Sequence, residues 1–249
     1  MTTVALIGPD GAGKTTIARR LPELLSFPTA YVYMGVAVES SDRLLPTTRL
    51  IHAVKQRRAS GGGIEPGSTQ PSTGKAGGGG RAATAGHPRR RRSRPARAVL
   101  ALAGPPMAGL RLANRLAEEW YRQAATWREE LRGRVVIFDR HFFIDYYAAD
   151  IVAEERTIRR RIHGWTLEHL YPRPDLVIFL DAPAEVLYAR KGEGTLESLE
   201  QRRQDYLTLA PLVRRFEVVD ASRPLEAVTA DVVRIVTEAT QARGRREAR

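Results

Sequence analysis

"GPDGAGKTT", residues 8–16, directly follows the apolar run Val4-Ala5-Leu6-Ile7. Gly8, four intervening residues, then Gly13, Lys14 and Thr15 give the spacing of a P-loop. Glycines let the backbone take positive φ, so that several N–H groups can point at one anion. A helix starting directly afterwards adds its N-terminal amides and dipole. Lys14 brings a mobile positive charge to the β and γ phosphates, and Thr15 a hydroxyl for Mg²⁺. A glycine turn that merely joins strand to helix is the plainer alternative. The strand-like run before and the helix-compatible Thr16–Leu21 after it favour the phosphate cradle.

Outward from this loop, strands and helices alternate. Strands are expected at Thr3–Ile7, Tyr31–Met34, Val135–Phe138, Leu176–Leu180 and Phe216–Val219. Val135-Val136-Ile137-Phe138 is continuously apolar, as a strand buried on both faces should be. Helices are expected at Thr15–Leu25, Thr47–Gln56, Met107–Leu131, Ala184–Arg190, about Leu199–Leu209, and Pro224 to about Ala242. Leu112, Leu116 and Trp120 share one helical face through their spacing of four. This pattern predicts an α/β fold of P-loop type: a five-stranded parallel sheet with helices on both faces, whose strand ends form the site.

The 249 residues suffice for one α/β domain, so residues 1–249 are read as a single domain. The chain has no cysteine, which excludes disulfides and thiolate metal sites. No basic n-region with a long apolar stretch opens it, and Ala98–Leu110 is too short and too broken by Pro105-Pro106 to span a bilayer. A soluble cytoplasmic protein without a membrane span is expected. The net charge of +12 is concentrated: between Lys55 and Arg97 eleven basic residues face one acid, Glu65, so ten of those charges sit in one segment. Within it, "RRASGGGIEPGSTQPSTGKAGGGGRAATAGHPRRRRSRPAR", residues 57–97, has Ile64 as its only large apolar residue. Such a segment is expected to be a disordered basic Gly/Arg-rich insertion. Weak electrostatic contact with nucleic acid, an anionic membrane or an acidic partner competes there with a solvated insertion lacking any partner. The lack of interleaved aromatics favours the latter.

Chemistry-bearing residues stand at the strand ends. In "FDRH", Phe138–His141, Asp139 could hold Mg²⁺ or orient the acceptor oxygen, and Arg140 could grip a phosphate bidentately. An Asp–Arg pair capping the next segment is the structural alternative. Asp181, in "IFLDAPAEVLYARKGEG", is a rival Mg²⁺ ligand or an N-terminal cap. "RKGEGTLESLEQRR", residues 190–203, has the polarity and glycines of a lid, in which Arg190, Lys191, Arg202 and Arg203 could surround a phosphoryl group. A solvated helix pair with Glu197 or Glu200 salt-bridged to nearby arginines is the alternative. Trp120, Tyr121 and Trp127 fit core packing better than base stacking, and His163 with His169 has no acidic cluster nearby in sequence to complete a metal site.

Four stretches resemble the thymidylate kinase family of nucleoside-monophosphate kinases: "GPDGAGKTT" with its acid Asp10, "DRH", "LDAPAEVLYAR", and "FEVVDAS" at Phe216–Ser222. The resemblance covers about residues 1–25 and 125–240. It implies a P-loop kinase fold, ATP and Mg²⁺ as cofactors, and a homodimer. It also implies an ATP site of Gly8, Asp10, Gly11, Ala12, Gly13, Lys14, Thr15, Thr16, Arg190 and Ala221. Lys14, Asp139, Arg140 and Arg190 would be catalytic; Thr15 and Asp139 would hold the metal; Asp10, Arg140 and Arg122 would meet the acceptor. As in the bacterial pattern, Gly11 occupies the P-loop position and the bases lie in the lid. The acceptor half departs from the family. "YVYMGVAVESSDRLLPTTRL" replaces its Thr-Arg-Glu-Pro-Gly-Gly stretch, "FFIDYYAAD" replaces the Ser and Ala-Tyr-Gln, and only Arg115 or Arg122 offers its helix arginine.

Three functions follow. The first is ATP-dependent phosphorylation of a nucleoside monophosphate, dTMP to dTDP foremost. The second keeps the donor half but phosphorylates a hydroxyl, with Asp139 or Asp10 as base. The third is a nucleotide-dependent switch or nucleic-acid-associated ATPase; the chain carries no Asn-Lys-x-Asp guanine signature. That last role requires affinity that falls steeply with salt and vanishes, with catalysis spared, when residues 57–97 are deleted.

Overall fold

A computed structural model of the chain describes residues 2–35, 45 and 104–247. The helix expected over Thr47–Gln56 and the disorder expected over 57–97 lie outside the described residues. The chain divides into two compact units, Met1–Leu45 with Leu112–Arg249, and Pro46–Arg111. Of the second, only the helical residues 104–111 are described.

Along the chain run β1 (Thr3–Ile7), α1 (Lys14–Leu24), β2 (Thr29–Tyr33), α2 (Gly104–Leu131), β3 (Val135–Asp139), α3 (Phe142–Tyr146), a π-helical turn (Tyr147–Val152) and α4 (Ile158–His169). Then come β4 (Leu176–Asp181), α5 (Ala184–Lys191), α6 (Leu196–Leu207), a short 3-10 turn (Ala210–Leu212), β5 (Phe216–Asp220) and α7 (Leu225–Glu247). All five strands are parallel, in the order β2-β3-β1-β4-β5. β1 is therefore flanked by β3 and β4, with Leu6 in register with Asp139 and Ile7 with Phe179. This is the condition that puts the carboxyl ends of three strands around the glycine loop.

The core has two sides because strand residues alternate. Val4 and Leu6 of β1 and Leu176, Ile178 and Leu180 of β4 pack with Ile17 and Leu21 of α1 and Val228, Val232 and Val236 of α7. Ala5, Ile7, Val177 and Phe179 face the other way, onto Phe142, Phe143, Leu167 and Tyr171. Each such side chain contributes about 1.5–3 kcal/mol on full burial, so both faces are needed to hold the central strands.

Within the described residues, the expected strands and helices recur with shifted ends. β2 begins two residues earlier than the apolar run suggested, and α2 begins at Gly104, with Pro105 and Pro106 in its first turn where their missing N–H is harmless. Tyr121 and Trp127 are not core residues: they are 41% and 42% exposed. α3, the π turn and α4 were not anticipated. α4 hides from pattern reading because its Ile158, Ile162 and Trp165 are exposed, while the residues it buries are His163, Gly164 and Leu167.

Gly164 is where α4 meets the π turn. A Cβ there would lie 2.1 Å from the carbonyl oxygen of Asp150. Gly164→Ala is expected to destabilise the protein by about 2–3 kcal/mol through overpacking against backbone that cannot yield. A thermal melt unchanged from wild type would refute that contact.

Candidate active site

The glycine loop is built as its sequence implies. Gly8 has φ 145° and Gly11 φ 91°, both in the region that favours glycine. A Cβ on Gly8 would come within 2.6 Å of the Leu180 carbonyl, and one on Gly11 within 2.9 Å of the Leu187 carbonyl. The loop is thus pressed onto the end of β4 and onto α5. Gly13 is the N-cap residue of α1 and, having no side chain, caps none of the first-turn amides. Those amides face the loop with the positive end of the helix dipole. Thr15 and Thr16, in the first turn, are exposed; Ala12 is buried.

Lys14 is 5% exposed, and its Nζ donates to the Pro9 carbonyl at 2.6 Å. Burial, and then the nearby Arg140 charge, pull its pKa down to about 8. Asp10, beside it, gathers four cations. Arg140 donates to Oδ1 at 2.5 Å, Arg202 lies 3.4 Å from Oδ2, and Lys14 and Lys191 each lie 3.9 Å from Oδ1. Burial would raise the Asp10 pKa, but Arg140 and Lys14 outweigh it and hold the carboxyl below its ordinary value. Opposed by burial but favoured by Asp145 and Asp10, the Arg140 guanidinium is held charged. Its backbone has φ 68°, the only positive value among the described non-glycine residues. That conformation costs about 1–2 kcal/mol and aims the side chain at Asp10.

Two carboxylates have unanswered oxygens here. Asp139, fully buried, accepts from the Tyr31 hydroxyl at 3.0 Å through Oδ2, while its Oδ1 has no hydrogen-bond partner among the described residues. Tyr31 is raised to about 12 by burial and then by Asp139, so it stays a donor. Asp145 on α3 has a buried, unpartnered Oδ2. Burial lifts its pKa to about 6 against the opposing pull of Arg140 and Lys14. His141, buried between Phe138 and Tyr171, is pushed down to about 3 by burial and is neutral.

The segment 190–203 is not a loop. α5 ends at Gly192 in a left-handed conformation, and α6 begins with a capping box in which Thr195 and Ser198 exchange hydrogen bonds. Its four bases divide among three sets of partners. Arg190 donates to the carbonyls of Ala221, at 2.7 Å, and Ser222, at 3.3 Å. Arg203 is bidentate on Asp181 at 2.7 and 2.9 Å and bonds Glu200 at 2.6 Å. Lys191 and Arg202 reach Asp10. Asp181 thus pairs with Arg203; the N-cap of α5 is Pro183.

Lys14, Asp10, Arg140 and the glycine loop are therefore brought together, with Asp139 at the end of β3 and Thr15 in the first turn of α1. Arg190 and Ala221 meet each other at the far side of α5. Arg122 neighbours Arg140 through Gly35, whose carbonyl Arg122 bonds and which packs against the Arg140 side chain. It is 1% exposed, bonded to Glu118 and to the Gly35 carbonyl, and stacked over Phe142 at 5.3 Å. Asp145 and Tyr206, whose pKa is raised by burial and then by Asp145, were not singled out from sequence. Asp145 lies five residues past Arg140, in a stretch without a motif.

A parallel 2-3-1-4-5 sheet with a glycine loop after its central strand and an Asp-Arg pair after the neighbouring one defines a P-loop fold of the kinase type. In sequence the chain is similar to thymidylate kinases. It is 35% identical over 113 residues to that of Leifsonia xyli, a match covering 41% of this chain and 52% of that protein. It is 31% identical over 109 residues to a probable thymidylate kinase 1 of Saccharolobus solfataricus, covering 41% and 54%. It is 43% identical over 76 residues to the thymidylate kinase of Alcanivorax borkumensis, covering 26% and 36%. The chain spans about half or less of the length of these curated relatives. No protein-family model matches it. Among solved structures, a deoxyadenosine kinase from M. mycoides with dCMP and a flexible dCDP bound aligns with a TM-score of 0.49 at 15% identity, over 95% of this chain and 100% of that one.

Proposed function

We propose that this chain transfers the γ-phosphoryl group of ATP to a nucleoside monophosphate, with dTMP the first candidate acceptor. The observation that carries this is the convergence of Arg140, Lys14, Arg202 and Lys191 on the single carboxylate of Asp10 at the mouth of the glycine loop. Four cations on one anion suit a site whose normal occupant is polyphosphate. Asp10 is then the counter-ion that keeps them together until the substrates arrive.

In this reading the amides of residues 8–16 and the α1 dipole cradle the β and γ phosphates of ATP. Lys14 leaves the Pro9 carbonyl for the phosphate oxygens, which restores its full charge. Arg140 holds the acceptor phosphate, and Asp10 turns to the acceptor sugar. An oxygen of that phosphate bonds to the γ phosphorus as the bond to the β-phosphate oxygen breaks, giving a nucleoside diphosphate and ADP. Thr15 and the unanswered oxygen of Asp139 are hard oxygen donors that fit Mg²⁺, which would neutralise charge between the β and γ phosphates. Arg202 supplies the lid's charge at the transition state. Arg190 braces the Asp220–Ser222 turn on the adenine side.

The test is a coupled ATP-consumption assay over nucleoside monophosphates, nucleosides and phosphosugars. dTMP turnover is expected. Arg202→Ala should lower kcat roughly 100-fold, the size of losing one transition-state donor. Arg190→Ala should mainly raise the KM for ATP. The reverse pattern would return the catalytic role to Arg190.

One observation favours a second reading, a hydroxyl acceptor. Such an acceptor needs a base, and Asp10 is too tightly held by cations to be one. Asp145, with an open oxygen and a pKa near 6, is suited to it. Activity on an unphosphorylated nucleoside alone would select this reading.

A further inference from the structure

We propose that His163 is a positioning residue: its imidazolium, bridged between Glu119 and Asp150, latches the segment from Phe142 to Val152 against α2 and α4. The inference rests on the kinase reading, because this segment follows Arg140 directly and carries Asp145.

The geometry fixes the ring's state. Nδ1 lies 2.6 Å from Asp150 Oδ2, and Nε2 lies 2.9 and 3.1 Å from the two oxygens of Glu119. A neutral imidazole has one N–H, so one carboxylate would face a lone pair. Only the doubly protonated ring donates to both. All three residues are buried. They come from three elements far apart in sequence: Glu119 from α2, Asp150 from the π turn, His163 from α4. A π turn is a rare element that commonly marks a functional segment.

The groups facing the ring from each packed element are few. α2 adds Arg115, 3.7 Å from Asp150 Oδ2, and α4 adds Arg160, 3.4 Å from Asp150 Oδ1; both are about half exposed. α3 adds Tyr146, edge-on to the ring at 4.7 Å, its hydroxyl pushed up to about 12 by burial. Arg156 donates to the Asp150 carbonyl at 3.0 Å. Two buried carboxylates thus face one imidazolium and two arginines at the rim. Burial would lower the His163 pKa, but the hydrogen bonds to Asp150 and Glu119 overcome it, and the value is raised above 6.5. A raised histidine pKa means that the latch is complete below about 6.5 and is lost as pH climbs through the folded value.

The test compares wild type with His163→Gln by amide hydrogen exchange over residues 142–152, corrected for the intrinsic pH dependence of exchange. In wild type, protection should fall as pH rises from about 6 to about 9. In His163→Gln it should be low throughout, while the glycine loop keeps its protection in both. The acceptor KM should rise about tenfold in the variant, with the ATP KM within about twofold. If His163→Gln does not fold, Glu119→Gln decides by ¹⁵N NMR: the His163 ring should then lose its second proton at lower pH than in wild type. Wild-type protection of 142–152 in His163→Gln, or a ring titration unmoved by Glu119→Gln, overturns the latch. A wild-type enzyme that turns over no monophosphate defeats the kinase reading alone, and the exchange data still decide the latch.

Discussion

Lys14→Met is expected to lower kcat by roughly 100- to 1,000-fold while leaving the protein at least as heat-stable as wild type at neutral pH. The two halves have one cause. Lys14 is buried beside Arg140; its ammonium is held by the Pro9 carbonyl and favoured by the Asp10, Asp145 and Asp139 charges, which do not outweigh burial and Arg140. Holding that charge in the loop costs stability, on the order of 3 kcal/mol for a pKa drawn from 10.5 to about 8. The cost is present in full below pH 8, where the folded lysine is charged. It fades as pH rises from about 8 to 10.5, where the unfolded chain binds the proton and the folded chain does not. Wild type should therefore gain stability relative to Lys14→Met across that window. Polyphosphate reverses the balance by giving the ammonium its partner. Thermal melts at neutral and alkaline pH, beside the coupled assay, check both halves. A variant that melts well below wild type at pH 7 would mean that Lys14 is a structural residue.

The donor side was legible because its chemistry is local. "GPDGAGKTT" specifies loop, helix start and lysine within nine residues, and the apolar runs of β3 and β4 announce strands buried on both faces. The acceptor side depends on contacts between distant residues. Nothing near His163 in sequence points to Glu119, which lies 44 positions away. α4 buries a histidine and a glycine and exposes its isoleucines, the inverse of the pattern that marks a core helix. The segment 190–203 shows the same limit: its basic residues were evident, but which of them reach Asp10 depends on the packing of Leu199 into the core and on the Asp181–Arg203 pair. Arg122 was expected to meet the acceptor through the family resemblance, as a counterpart of its helix arginine. The contacts that occupy it, Glu118 one turn back and the Gly35 carbonyl, belong to the folded chain.

Arg140→Ala and Asp145→Asn together decide what the acceptor is. In the kinase reading Arg140 exchanges Asp10 for the acceptor phosphate, and removing one member of such a charge pair across a binding interface costs about 2–5 kcal/mol. With a monophosphate acceptor, that loss falls on acceptor binding: KM should rise at least about 30-fold, and ATP binding should change little. Asp145→Asn should then leave kcat within about threefold, because a phosphate acceptor is already ionised and gives no proton to a base. The acceptor phosphate's own second ionisation, at about 6, gives kcat/KM an acid limb in this case, and that limb should survive Asp145→Asn. A hydroxyl acceptor inverts every part. Asp145→Asn would cost about 100- to 10,000-fold, the acid limb would vanish with the substitution, and Arg140→Ala would act through kcat. Arg140→Ala strips Asp10, in the glycine loop, of its shortest partner, whereas Asp145→Asn removes no hydrogen bond to that loop, so the ATP KM of Asp145→Asn provides the control. The monophosphate reading stands if Arg140→Ala moves KM and Asp145→Asn moves nothing, and it falls if the carboxylate carries the rate.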